Sequence, residues 1–282
     1  MTETQNVTLP AVAMLGAGSM GRAILSGLTA PGVSVAGGIR VTNRSEARAA
    51  ELAGIEGVTA YATESTPEAN RLAVDGAQLV IVAVKPAMVP DLLREIAPSL
   101  TPGAIVVSVA AGVTVATFES LLPESVAVVR SMPNTPAVIG RAVTGISPGT
   151  RSEPDDVALV RALFETVGEV VEVPESQLDA LSTISGSGPA YVFFLVEALA
   201  AAALEKGFTP EQARVLVNGT FRGASELLVS SGEDPAELRR RVTSPKGTTE
   251  RAIEVLASAD LPALFTRATD AALARARELA AG

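Results

Sequence analysis

The segment Ala11-Val12-Ala13-Met14-Leu15, followed at once by Gly16-Ala17-Gly18-Ser19-Met20-Gly21, decides the fold of this chain. A short apolar run typical of a buried strand leads into a glycine turn, and residues 22–28 then show a helical pattern. Glycines in this spacing between a strand and a helix let backbone N–H groups approach a pyrophosphate. We therefore predict a dinucleotide-binding turn; the alternative is a glycine-rich turn with a purely structural role.

The rest of the first half repeats this alternation of short apolar runs and helical patterns. The apolar runs are residues 39–42, 79–84, 104–109, 126–130, 143–146 and 170–173. Runs that are apolar throughout suit strands covered on both faces, as in parallel sheets. The pattern predicts an α/β fold, with an N-terminal Rossmann-type doubly wound sheet in a domain spanning residues 1–174.

The second half loses the β-branched runs after Pro174 and is rich in alanine. Helix starts are indicated at Thr209-Pro210-Glu211-Gln212, Asp234-Pro235-Ala236-Glu237 and Asp260-Leu261-Pro262, and the first two have the spacing of a capping box. Gly207 and Gly232 are suited to end helices. We predict an all-helical C-terminal domain over residues 175–282.

One predicted helix, residues 188–206, is apolar on nearly every face. Such a helix must be buried on all sides, and a domain of this size has few other helices that could cover it. A homodimer that shares this core is one solution, and burial against the first domain alone is the other. The most apolar part, residues 190–204, is too short to span a bilayer and contains Glu197.

Composition excludes several classes of protein. The chain has 0 His and 0 Cys, so it cannot form a Ser-His-Asp triad, a thiolate nucleophile, a disulfide or an ordinary zinc site. Its net charge of −9 argues against nucleic acid as a partner. Residues 1–10 carry no export signal. We predict a cytoplasmic protein without membrane or metal sites, in which a cofactor supplies the chemistry.

The end of the second strand predicts which cofactor binds. Asn43, Arg44 and Ser45 stand where a ribose contact is expected, and Arg44 with the Ser45 hydroxyl can bind a 2′-phosphate that a carboxylate would repel. We therefore expect NADPH in preference to NADH, with NADH as an alternative donor. The competing interpretation is an exposed arginine in the first turn of a helix.

Three further segments are predicted at the same edge of the sheet. Ala83-Val84-Lys85-Pro86 ends a buried strand and is expected to face the cofactor, although the Lys85 side chain itself is better explained as a surface lysine. Ser108-Val109-Ala110-Ala111-Gly112 and Arg130-Ser131-Met132-Pro133-Asn134-Thr135-Pro136 follow as walls of a nicotinamide pocket. From the residues alone, ordinary loops without a binding role explain the last two segments equally well.

The helical half offers a site for a small carboxylate. Ser185-Gly186-Ser187-Gly188-Pro189-Ala190 precedes the apolar helix. Val242-Thr243-Ser244-Pro245-Lys246-Gly247-Thr248-Thr249 leads into a helix over residues 250–256, and it provides N–H groups, hydroxyls and a positive helix end. The alternative for this second loop is a simple N-cap with a turn.

The order and spacing of these motifs along nearly the whole chain resemble pyrroline-5-carboxylate reductases, the family of the last step of proline synthesis. The resemblance implies hydride transfer from a reduced nicotinamide to the C=N carbon of 1-pyrroline-5-carboxylate, which gives L-proline. A protonated cyclic imine is already electrophilic, so no His or Lys base is required. The resemblance also implies a homodimer interlocked through its helical domains, with further assembly into a ring of dimers.

The resemblance assigns residues to each part of the site. It implies cofactor contacts from residues 15–20, Asn43, Arg44, Ser45, Asn70, 83–86 and 109–111, with Asn70 near the adenosine. It implies that the substrate carboxylate takes N–H groups from the loop of Ser244, Lys246, Gly247 and Thr248, and that the Thr249 hydroxyl binds the ring nitrogen as the catalytic residue.

This sequence departs from the family at two positions. Lys246 stands where the family more often has Gly, and Arg241 lies near a position where some members place a cofactor-contacting Asn. A β-hydroxyacid dehydrogenase is the nearest enzymatic alternative, but it would need a lysine near residues 185–190 to handle the alcohol proton, and none is there. A dinucleotide-binding protein without turnover is the alternative outside enzymes.

Overall fold

The computed structural model describes residues 7–281, and for residues 280 and 281 it describes the backbone alone. Residues 1–6, which begin the predicted first domain, lie outside this part. The described residues form two compact units. The first unit extends to Ser187 and includes the residues from Leu273 onward, and the second is Gly188–Ala272.

The first unit alternates strands and helices as the sequence predicts. Its strands are β1 (Val7–Leu9), β2 (Val12–Leu15), β3 (Val33–Val35), β4 (Ile39–Asn43), β5 (Val58–Ala62), β6 (Leu79–Val82), β7 (Ile105–Ser108), β8 (Ala127–Met132), β9 (Ala142–Pro148) and β10 (Gly168–Glu172). Its helices are α1 (Ser19–Leu28), α2 (Glu46–Ala53), α3 (Ala69–Val74), α4 (Val89–Ile96), α5 (Val115–Leu121), α6 (Pro154–Glu165) and α7 (Glu175–Leu181).

Eight of these strands form one sheet in the order β5-β4-β2-β6-β7-β8-β9-β10. Its first six strands have the order of a Rossmann fold, with the direction of winding reversed between β2 and β6. Both neighbours of β2 pair with it in parallel. The predicted α/β Rossmann-type class is confirmed.

Alternate residues along the central strands divide the core into two layers. Val12 and Met14 pack in a cluster with residues of α1 and α6. Ala13 and Leu15 pack in a second cluster with residues of α3, α4 and α5. Because both faces of the sheet are covered, β2 and β6 are apolar at every position, which is why their sequences do not alternate.

The structure departs from the sequence prediction in two ways. β8 and β9 pair antiparallel, because the short connection 133–141 forms only a 3₁₀ turn at Thr135–Ile139, and a parallel crossover needs a longer connection. In addition, β1, β3 and β5 were not predicted; β1 and β3 have only three residues each and pair with one another.

The second half is helical, as predicted. Its helices are α8 (Gly188–Glu205), α9 (Pro210–Ser231), α10 (Pro235–Arg241), α11 (Thr248–Ala257) and α12 (Leu261–Ala281). Thr209 forms the predicted reciprocal capping box. The second predicted box is wrong: Asp234 caps α10, but Glu237 binds Arg240 and Arg241 instead of reaching back. These guanidinium groups lower the pKa of the Glu237 carboxyl, and the hydrogen bond from Arg240 is the largest single cause.

The apolar helix α8 has no buried residue in this chain. Phe193 and Phe194 are 62% and 69% exposed. Burial in a shared homodimer core and burial against the first domain both stay predictions. Together with α7 and the intervening π-helical turn, α8 forms one 31-residue helical stretch, Glu175–Glu205, that is long and apolar enough to cross a membrane by length and composition alone. The prediction that it is too short does not hold, although core helices of soluble proteins pass the same test.

Arg130, on β8, joins the sheet to α7. Its side chain is only 8% exposed and bonds Asp179 at 2.8 Å and Glu175 at 3.2 Å. Glu175 also accepts the Val115 N–H at the start of α5, at 2.7 Å. One buried cation therefore holds two carboxylates, one of which also orders a neighbouring helix.

We expect Arg130→Ala to lower the free energy of unfolding by about 3 kcal/mol, because two partly buried carboxylates lose their cation. The change should be seen as a lower urea midpoint at fixed protein concentration. Arg222→Ala is the control, since Arg222 forms an exposed ion pair with Glu226 in α9 and should shift the midpoint little. Equal shifts in the two variants would contradict the role given to Arg130.

Candidate active site

The glycine turn lies at the point where the strand order reverses. Leu15, the last residue of β2, is opposite Thr42 on one side and Val82 on the other. The backbone pairing with β4 continues into the turn, since the Gly16 N–H donates to the Thr42 carbonyl at 3.1 Å. Ligands of open α/β sheets bind at such a reversal, beyond the carboxyl ends of the strands.

Two of the three glycines are required by close approach. Gly16 has φ 92°, and a Cβ there would lie 2.9 Å from the Ala83 carbonyl oxygen. A Cβ on Gly21 would lie 2.5 Å from the Gly16 carbonyl oxygen. By contrast, a Cβ on Gly18 would meet no atom within 4 Å. Gly18 caps α1, whose first turn has no acidic side chain, so its open amides can receive an anion.

Asn43 connects β4 to this turn. It is buried, its Nδ2 donates to the Ala17 carbonyl at 3.4 Å, and its Oδ1 accepts the Arg44 N–H at 3.1 Å. These bonds give Asn43 a part in shaping the turn. Its predicted contact with the ribose stays a prediction.

A carboxylate lies beside the residues predicted to bind the 2′-phosphate. Arg44 is exposed and Ser45 caps α2, as a phosphate contact requires. However, the Glu46 N–H at the start of α2 donates to Glu64 Oε1 at 2.8 Å, and the Glu64 N–H donates to the Arg44 carbonyl at 3.1 Å. Glu64 therefore places a negative charge beside Arg44, which disfavours a phosphate there.

The helix that begins at the glycine turn is tied to its neighbour by an ion pair. Arg22 on α1 donates to Glu51 on α2, and this hydrogen bond lowers the pKa of the Glu51 carboxyl. Because its guanidinium is engaged, Arg22 serves to hold α1 against α2 beside the turn.

Asn70 has a fixed orientation. Its Nδ2 lies 3.1 and 3.2 Å from the two carboxylate oxygens of Glu95. Since an ionised carboxylate only accepts hydrogen bonds, the nitrogen of Asn70 must face Glu95 and its oxygen is left to act as an acceptor. The part of Asn70 in binding adenosine stays a prediction.

A cavity of about 650 Å³ lies beyond the carboxyl ends of β6, β7 and β8. It brings together residues of all three segments predicted at this edge of the sheet. Its lining includes Lys85, Pro86, Ala111, Arg130 and Met132. Lys85 is exposed, as expected of a surface lysine, but it lies at this cavity. Val109 and Ala110 follow β7 directly, where the Val109 N–H donates to the Val82 carbonyl at 3.1 Å.

The segment Ser182–Gly186 forms a π-helical turn, a feature frequent at functional sites. Asn134 Nδ2 donates to the Ser185 carbonyl at 2.9 Å, and Asn134 Oδ1 accepts the Val143 N–H at 2.9 Å. The Asn134 side chain therefore holds the turn that leads into the apolar helix.

The loop before α11 belongs to the second unit and has its own hydrogen bonds. The Gly247 N–H donates to the Ser244 carbonyl at 3.0 Å, and the Lys246 N–H donates to Glu250 Oε2 at 2.8 Å. Two of the N–H groups predicted for substrate are thus engaged within the loop. The N–H groups of Thr248 and Thr249, at the start of α11, remain candidate donors. Arg241 is also engaged, with Glu233 and Glu237.

Three acceptors near the candidate site were not predicted from the sequence. Glu64, Glu95 and Glu250 accept hydrogen bonds from predicted site residues or their neighbours, but they belong to no motif. Only Glu250 had a usable signal, because a Glu three residues after a helix N-cap commonly reaches back to a backbone N–H.

Two family models match the chain. A pyrroline-5-carboxylate reductase dimerisation model matches residues 175–279, and a model described as NADP oxidoreductase, coenzyme F420-dependent, matches residues 11–112. The pyrroline-5-carboxylate reductase of Corynebacterium melassecola is 37% identical, covering 95% of this chain and 98% of its own length. The chain belongs to the pyrroline-5-carboxylate reductase family. The family resemblance carried by the motifs is thereby confirmed.

Other members of the pyrroline-5-carboxylate reductase family agree with this assignment. The reductase of Pseudomonas aeruginosa is 37% identical and covers 97% of this chain and 98% of its own. A solved pyrroline-5-carboxylate reductase from Coxiella burnetii has a TM-score of 0.88 at 36% identity, covering 98% of this chain and 99% of that one. The Plasmodium falciparum enzyme with NADP bound has a TM-score of 0.79 at 22% identity, covering 96% and 98%, and shows the same fold.

We expect Arg44→Ala to weaken NADPH binding about tenfold, the loss of one charge-assisted bond, and to change NADH binding little. Glu64→Gln should act in the opposite direction and strengthen NADPH binding about fivefold, since about 1 kcal/mol of repulsion is removed. Dissociation constants can be measured by the fluorescence of the reduced cofactors, because the chain has no Trp.

The control for charge is Glu56→Gln, which removes an exposed carboxylate before β5, at the other end of that strand from Glu64. It should leave both dissociation constants unchanged. If Arg44→Ala weakens NADPH and NADH equally, the 2′-phosphate assignment is refuted, and if Glu64→Gln alters neither, the charge of Glu64 has no part in cofactor choice.

Proposed function

We propose that this protein reduces 1-pyrroline-5-carboxylate to L-proline, with NADPH as the preferred hydride donor and NADH as an alternative. The observation that carries the proposal is a glycine turn at the reversal point of the sheet, in a chain that aligns with named reductases over 95% of its length. Family membership makes it an NAD(P)H-dependent oxidoreductase.

The residues at the glycine turn fit a dinucleotide. Gly18 leaves the approach to α1 open, and the amides of the first turn face no acidic side chain of that turn. Residues 15–21 would hold the pyrophosphate, Asn43, Arg44, Ser45 and Asn70 the adenosine end, and residues 83–86 and 109–111 the nicotinamide end. When bound, the reduced nicotinamide supplies a hydride to the C=N carbon.

The reaction suits a chain with this composition. A protonated cyclic imine accepts hydride without a general base, and the chain has 0 His. The task left to side chains is to hold the ring and its carboxylate. We assign the carboxylate to the loop from Ser244 to Thr248, with Lys246 adding a positive charge, and the ring nitrogen to the Thr249 hydroxyl, which lies on the first turn of α11.

We propose that residues 1–174 hold the cofactor and residues 175–282 form the substrate-binding and dimerisation domain. The dimerisation model over residues 175–279 supports self-association, and the exposed phenylalanines of α8 are suited to a shared core. We propose a soluble, cytoplasmic homodimer that assembles further into a ring of dimers. Sedimentation velocity should give a species larger than the dimer; a monomer at micromolar concentration would refute the shared core.

The direct test is oxidation of NADPH by the purified protein with 1-pyrroline-5-carboxylate. Turnover with the imine, and none with a panel of 3-hydroxy acids and NADP, is the expected result. Turnover with a hydroxy acid would favour a β-hydroxyacid dehydrogenase. Tight NADPH binding with no turnover of any imine would indicate a binding protein.

In the same assay, Thr249→Val should lower kcat about a hundredfold, as expected if a group that handles the ring nitrogen is lost. Valine keeps the shape of threonine, so the thermal midpoint should stay near that of the wild type. Thr248→Ser retains a hydroxyl at the neighbouring position and serves as the matched variant. Unchanged kinetics in Thr249→Val would remove Thr249 from the mechanism.

A further inference from the structure

The turn before α11 has an unusual residue at its third position. Residues 244–247 form a β-turn closed by the bond from the Gly247 N–H to the Ser244 carbonyl, at 3.0 Å. Pro245 occupies the second position, and Lys246 occupies the third with φ 60°. Proline followed by a left-handed residue defines a type II turn, in which glycine is favoured at the third position.

Lysine in this conformation is strained, because its Cβ crowds the following carbonyl oxygen. In residues 7–281 only Lys246 and Asp260 are non-glycine residues with a positive φ. A strained residue persists only where its surroundings hold it in place. The turn must therefore receive support from elsewhere.

Glu250 provides this support. Its Oε2 accepts the Lys246 N–H at 2.8 Å, and its side chain is half-buried on the first turn of α11. A glutamate at this helix position usually binds the N–H of the N-cap residue. Here the N-cap is Gly247, whose N–H already closes the turn, so Glu250 reaches one residue further.

We propose that Glu250 is a positioning residue for the substrate carboxylate. By holding Lys246 in the left-handed conformation, it keeps the turn closed and fixes the direction in which the Thr248 and Thr249 N–H groups point. Lys246 and Glu250 thus act as a pair, which a glycine at position 246 would make unnecessary. This proposal rests on the proposed function, in which the loop binds the carboxylate of the imine.

The test is a double-substitution cycle. Glu250→Ala should raise the KM for 1-pyrroline-5-carboxylate about tenfold and change kcat less than about twofold, because binding geometry is lost and chemistry is not. Glu250→Gln keeps an acceptor for the Lys246 N–H and should restore most of the KM. In the Lys246→Gly background, adding Glu250→Ala should change the KM by less than about twofold, which is the result expected if the two residues are coupled.

Glu254→Ala is the matched control, since Glu254 lies one turn further along α11 and pairs with Arg251. It should leave KM and kcat at their wild-type values. If Glu250→Ala raises the KM by the same factor in the Lys246→Gly background, the effect does not pass through the turn and the proposal is overturned. An unchanged KM in Glu250→Ala overturns it as well.

Hydrogen–deuterium exchange separates this proposal from the proposed function. In substrate-free protein, Glu250→Ala should raise the exchange of amides in residues 243–249 at least about threefold, because the bond that protects the turn is lost. Unchanged exchange overturns the support given by Glu250, whatever the activity. Absence of imine turnover in the wild-type protein instead overturns the proposed function and, with it, the link from the turn to this substrate.

Discussion

Close backbone packing at the reversal of the sheet is the constraint on which the rest of the first unit depends. The carbonyl of Ala83 approaches Gly16 so closely that no side chain fits there, and Gly21 packs equally closely on Gly16. These contacts bring the start of α1 to the ends of β2 and β6. The open amides, the buried Asn43 and the predicted nicotinamide segments all take their positions from this point.

Carboxylates act as positioning groups throughout the molecule. Glu51 binds Arg22 beside the glycine turn, Glu95 orients Asn70, Glu175 connects Arg130 to α5, and Glu250 supports the turn at Lys246. Each accepts a hydrogen bond from a group whose direction matters for binding or for packing. Some of the acidic residues that give the chain its negative charge therefore serve as internal hydrogen-bond acceptors. The proposed reaction needs no carboxylate as a base.

The exposed apolar helix α8 relates the fold of one chain to its assembly. The sequence of α8 is apolar on nearly every face, so burial on all sides is expected. No residue of α8 is buried within the chain. A family dimerisation model covers this region, which supports self-association. In the proposed homodimer, folding and self-association are linked, because both would bury apolar surface that is costly to leave in water.

The sequence by itself determined the Rossmann-type sheet, the helical second half and the glycine turn, because these follow from local periodicity and from backbone geometry that only glycine allows. It also located Arg44 and the loop before α11, since both lie next to strand or helix ends. Tertiary structure alone decided the antiparallel pairing of β8 with β9 and the acceptors at Glu64 and Glu95. A side chain recruited from a distant element has no spacing to reveal it, because the contact is set by packing and not by neighbours in the chain.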